Sequence, residues 1–173
     1  IAHMPRLHRL LAGAAKRGRI TSRARDVYIT EFGFQSNPPD RNPGAPSLKN
    51  QARYINEADR LFYGDRRVKW VSQYEFTDVR DVTQFNTGLR LFSGKLKPSY
   101  GAYRMPIVVT RRSATSVEVY GQVRPGGAST VAIQAQASGG PFQTVKTVRT
   151  NAGGFIRLNV TRKNAFRLRW RLS

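Results

Sequence analysis

The residue pattern changes abruptly at Pro106, and that change limits what the chain can fold into more than any other feature. Upstream, DVYITEFGF is an apolar, β-branched and aromatic run between Asp26 and Gly33, which predicts a buried strand. VKWVSQYEF at residues 68–76 predicts a second. Between them, Leu48, Ala52, Ile55, Ala58, Leu61 and Phe62 mark one face of a helix, with Ser47 as its N-cap and Gly64 as its stop. Strand, helix, strand in this order predicts a βαβ unit with parallel strands. Downstream, IVVTRR, TSVEVYGQVR, STVAIQAQ, QTVKTVRT, GFIRLNV and AFRLRWRL are short alternating strands at intervals of about ten residues, the mark of an antiparallel β-sandwich. A domain boundary is therefore placed near residue 105.

Two further helices complete the upstream part. Leu7, Leu10, Leu11 and Ala14 recur at helical spacing among Arg and Lys, and Gly18 ends the pattern, which predicts a basic amphipathic helix over residues 5–16 that packs on a domain. Residues 96–103 predict a short closing helix. QSNPPDRNPGAPS, with four prolines, is loop chemistry of the kind that borders binding sites.

Charge decides which chemistry is open to the chain. It carries 30 Lys plus Arg against 10 Asp plus Glu in 173 residues, a formal net charge of +20. Nine of the ten acids fall between residues 26 and 105, whereas residues 106–173 hold eleven basic residues and Glu118 alone. Nonspecific attraction to polyanions follows at low salt. There is no cysteine, and both histidines lie in the first eight residues, so thiolate zinc sites, thiol nucleophiles and Ser-His-Asp triads lack their parts. Acid–base or nucleophilic chemistry must rest on carboxylates of the middle segment. No cofactor or metal is implied. No run approaches the roughly 20 apolar residues of a membrane span, and the first twenty residues show no apolar h-region followed by a cleavage site, so no signal-peptide pattern is visible in them.

The ordered set Val27-Tyr28-Ile29-Thr30-Glu31-Phe32-Gly33, Gln51 to Leu61, Trp70-Val71-Ser72-Gln73-Tyr74-Glu75-Phe76-Thr77-Asp78, Thr87-Gly88-Leu89-Arg90, Gly94-Lys95 and Lys97-Pro98-Ser99-Tyr100 resembles the C-terminal end of the barrel of clan A glycoside hydrolases. The likeness is to the cellulase-like enzymes of high-GC actinobacteria and covers about residues 5–105. It implies α/β plus all-β architecture: residues 1–105 as the last βα units of an incomplete (β/α)8 barrel, and residues 106–173 as an appended Ig-like or fibronectin-like β-sandwich. It also implies that Glu31, at the end of the seventh barrel strand, is the catalytic nucleophile. Gln73, Tyr74, Glu75 and Asp78, at the end of the eighth, would line a sugar subsite, with Asn37 and its prolines shaping the wall. A carbohydrate substrate and an extracellular or cell-envelope location come with the resemblance.

One departure bears directly on activity. A retaining glycosidase needs a second carboxylic acid about 5 Å from the nucleophile, which in the family is the Glu of an Asn-Glu pair ending the fourth strand. The only such pair here, Asn56-Glu57, lies inside the predicted helix. Two strands also cannot close a barrel that takes roughly 250 residues. The expectation is a fragment of a retaining glycoside hydrolase, inactive without the missing N-terminal half of its barrel. The alternative is a non-catalytic basic module that binds acidic glycans or other polyanions.

Overall fold

A computed structural model describes residues 1–162 and 164–173. The chain is mixed α/β, with three α-helices, one parallel strand pair and two antiparallel sheets among the described residues. No closed barrel forms among them.

Helix α1 spans Met4–Lys16, with a proline in its first turn. Gly18, at φ +67°, turns the chain away in the left-handed conformation that a side chain would resist. Strand β1 (Val27–Phe32) leads through the proline-rich loop to α2 (Leu48–Gly64), and β2 (Val68–Gln73) returns parallel to β1. Ser47 caps α2, its Oγ accepting the Asn50 N–H at 3.3 Å. The inward face of α2 buries Gln51, Ile55, Ala58 and Phe62, and Phe62 meets Phe32 of β1 edge to face at 5.1 Å. Fully burying Ile55 and Phe62 contributes about 1.5–3 kcal/mol each. Helix α3 (Pro98–Arg104) packs beside α2.

Three readings of this part are corrected. Neither β1 nor β2 contains a buried residue: α2 covers one face of the pair, and nothing among the described residues covers the other. Tyr28 and Trp70, partners across the ladder, are 65% and 61% exposed. Strand β2 also stops at Gln73 rather than residue 76, because Glu75 adopts φ +63° and breaks the extended run. Helix α1 likewise contains no buried residue, and Leu7 and Leu10 stay exposed.

Beyond Pro106 come β3 (Ile107–Arg111), β4 (Ser116–Gln122), β5 (Thr130–Gln136), β6 (Gln143–Arg149), β7 (Phe155–Thr161) and β8 (Arg169–Leu172). They form two three-stranded antiparallel sheets, β3-β4-β7 and β6-β5-β8. The run read as a single strand from Ala165 opens instead as a 3-10 turn, Ala165–Arg167, before β8. One apolar cluster draws on both sheets: Val117 and Val119 from β4, Ile156 and Val160 from β7, Val131 and Ile133 from β5, and Leu172 from β8. Alternation explains the choice, since residues two apart share a face.

Helix α2 also holds the sheets against the parallel pair. Asp59 takes the Tyr120 hydroxyl at 2.6 Å and an ion pair from Arg124, whose guanidinium lies over the Tyr103 ring at 4.5 Å. Asn56 Oδ1 accepts the Ile107 N–H at 3.1 Å, and Arg60 reaches Glu118 at 3.2 Å. The Asn-Glu pair inside α2 thus spends its asparagine on the first residue of β3.

Candidate functional site

The loops that leave the C-terminal ends of β1 and β2 are drawn together by close backbone approach. A Cβ at Gly33 would lie 2.6 Å from Cβ of Thr87, so only glycine lets the two loops meet. Thr87 Oγ1 then donates to the Tyr74 carbonyl at 2.6 Å, and Gln73 Nε2 donates to the Thr87 carbonyl at 3.0 Å. From below, buried Gln51 of α2 donates Nε2 to the Phe34 carbonyl at 2.7 Å.

A buried ion pair fixes the same loops from inside. The side chains of Lys97 and Asp78 are both 0% exposed, and Lys97 Nζ lies 2.7 Å from Oδ2 and 2.8 Å from Oδ1 of Asp78. Nζ also donates to Ser36 Oγ at 3.0 Å, and Asp78 Oδ1 accepts the Gly88 N–H at 2.9 Å. One ammonium therefore joins the loop after β1, the loop after β2 and the segment entering α3. Burial pulls the Lys97 ammonium below its ordinary value, against the opposing pull of Asp78 and Glu75.

The predicted site residues fall into distinct places. Glu31 is exposed at the end of β1 and makes no side-chain hydrogen bond or ion pair among the described residues. Asn37 is exposed in the proline-rich loop, where its N–H donates to the Pro46 carbonyl at 2.8 Å. Tyr74 is exposed, while Gln73 is half-buried and its amide is engaged. Glu75 is half-buried with Oε2 accepting the Thr87 N–H at 3.3 Å. Burial raises its carboxyl above the ordinary range, and the nearby Asp78 charge adds to this, outweighing the Thr87 N–H and Lys97. Asp78 is closed to solvent, so it does not line a surface subsite; it anchors the loops that carry the others. Gln73, Tyr74, Glu75 and Asp78 are brought together around Thr87 and Gly88, whereas Glu31 stands apart on the neighbouring strand.

An open cleft of about 380 Å³ borders this region, lined by Gly33, Phe34, Gln35, Pro46, Phe85 and Thr87. Phe85 presents an exposed ring in this lining. Sequence patterning does not single out Ser36, Thr87 or Lys97. Lys97 stands in the matched KPSY string, but its counter-ion lies 19 residues earlier and only the fold joins them. Among the described residues, no group of three or more His, Cys, Asp or Glu could hold a metal ion, and no helix is long and apolar enough to cross a membrane. No family model, curated protein or solved structure matches the chain.

Proposed function

We propose that the chain is the C-terminal part of a retaining glycoside hydrolase, with residues 1–105 supplying the last two βα units of a (β/α)8 barrel and residues 106–173 an appended β-sandwich. One observation carries this reading: Glu31 is an exposed carboxylate at the C-terminal end of a strand that pairs in parallel with the next strand through a single helix. That is where barrel enzymes keep their catalytic groups. In this role the Glu31 carboxylate attacks the anomeric carbon and forms a glycosyl ester, which water then hydrolyses. Tyr74 and Asn37 border the sugar, and Gln73 and Glu75 shape the floor beneath it.

The leaving oxygen needs a proton from a second carboxylic acid, which the reading assigns to the remaining barrel strands. Those strands are the partner that the uncovered face of Tyr28 and Trp70 calls for, as do the outer edges of β1 and β2, unpaired among the described residues. The reading carries with it a polysaccharide or oligosaccharide substrate and an extracellular or cell-envelope setting.

The purified chain is expected to leave aryl glycosides untouched. An activated fluorinated glycosyl fluoride, whose departure needs no acid, should form a covalent adduct that peptide mapping places on Glu31, and Glu31→Gln should abolish it. Turnover or labelling that survives Glu31→Gln would overturn the proposal.

A further inference from the structure

We infer that a cleft between α1, the end of α2 and the β3-β4-β7 sheet is a binding site for a sulfate or phosphate ester. This site stands independently of the hydrolase reading, because neither Glu31 nor any loop after β1 or β2 contributes to it. The cleft measures about 580 Å³, and Arg60, Arg66, Arg157, His8 and Asp65 line it. That volume suits a small ligand rather than a single free ion.

Its charge is arranged in an unusual way. Three guanidiniums converge on Glu118: Arg112 at 2.6 Å, Arg60 at 3.2 Å and Arg157 at 3.2 Å. The Glu118 side chain is only 9% exposed, and although burial would raise its pKa, the three arginines hold it below the ordinary carboxylate range. One carboxylate cannot neutralise three cations, and each arginine presents a single terminal nitrogen to it, out of five N–H donors per guanidinium. Of these three only Arg60 and Arg157 line the cleft; Arg66 is its third arginine and has no side-chain partner among the described residues. On the acidic side, Asp65 keeps its negative charge, but its oxygens are directed to His8 at 2.6 Å and the Arg67 N–H at 3.0 Å, and it makes no ion pair with the lining arginines among the described residues.

Arg60 and Arg157 therefore offer forked donors held in place by a common anchor, with the unpaired Arg66 beside them, the geometry that receives tetrahedral oxyanions. A nucleic acid fits less well. Of the two aromatic rings in the wall, Tyr120 is fully buried and Tyr63 has one face stacked on Phe155 at 4.4 Å and packs against Tyr120 at 5.3 Å, which leaves little ring surface for a base.

The test is titration calorimetry of the full chain with a heparin-derived tetrasaccharide at about 0.15 M salt, where attraction between exposed charges at long range is screened. Arg66→Gln and Arg157→Gln should each weaken binding about tenfold, the worth of one lost hydrogen bond between charged groups. Arg149→Gln, on β6 of the other sheet, should change it by less than about twofold. Excess inorganic sulfate should compete. Equal losses in all three variants would reduce the effect to net charge and overturn the proposal. So would the absence of binding, or tighter binding of a single-stranded oligonucleotide. The Arg66 side chain holds no other part of the described structure, so its variant reads the site without disturbing the fold.

Discussion

Replacing Lys97 with methionine keeps the length of the side chain and removes the ammonium. Asp78 is then left as a buried carboxylate with no cation, retaining only the Gly88 N–H at 2.9 Å, and Ser36 Oγ loses its donor at 3.0 Å. Removing one member of a buried pair costs about 3–5 kcal/mol, because the surviving charge stays desolvated. For a chain of this length that corresponds to a fall in Tm of roughly 6–20 °C. Asp78→Asn should cost a comparable amount, since it strands the ammonium beside a neutral amide. The double variant Lys97→Met/Asp78→Asn removes both charges while the introduced amide oxygen can still accept from the Gly88 N–H, so it should fall short of the wild type by only about 1–2 kcal/mol. Urea denaturation followed by circular dichroism would measure the four free energies of this cycle. A Lys97→Met cost below about 1 kcal/mol, or a double variant less stable than either single one, would refute the buried pair as the clasp of these loops.

Two other outcomes follow from the same geometry. Glu118, with its pKa held down by Arg112, Arg60 and Arg157, contributes stability that is complete above its ordinary value of 4.5 and drains away as pH falls through the depressed folded value. Glu118→Gln should therefore cost about 2 kcal/mol at neutral pH, and that difference should close in acid; a constant difference between pH 7 and pH 3 would contradict the pairing. Gly33→Ala should destabilise by about 1–3 kcal/mol, because its Cβ would sit 2.6 Å from Thr87 Cβ, and thermal denaturation should show that this cost largely disappears in a Thr87→Gly background, which removes that Cβ, if the contact is the cause.

Much of the secondary structure is legible in the sequence because its causes are local. Ser47 and Gly64 bracket an apolar stripe, so α2 can be bounded almost to the residue, and strict alternation marks most of β3 to β8. What escapes depends on partners distant in sequence. A strand rich in Val, Tyr, Ile and Phe reads as buried wherever it stands, yet Tyr28 and Trp70 are exposed because no second layer covers them among the described residues. The left-handed turn at Glu75 carries no glycine or asparagine to announce it, so patterning draws β2 three residues too long. Asp78 reads as a surface acid because a counter-ion buried 19 residues onward leaves no trace in spacing. Thr87, which closes the two loops, is an ordinary threonine until Gly33 is seen pressed against it. The excess of arginine is plain in composition, but its concentration on Glu118 is not, since Arg60 and Arg157 come from different halves of the chain.

Helix α2 serves two masters. Its apolar stripe supports the parallel strands, while Asn56, Asp59 and Arg60 grip the antiparallel part. A load applied to one half is thus transmitted to the other through a single rod rather than absorbed in a slack tether. The two halves should melt in a single calorimetric transition, and anything seated on the arginine cleft should be presented to the strand ends at one fixed bearing.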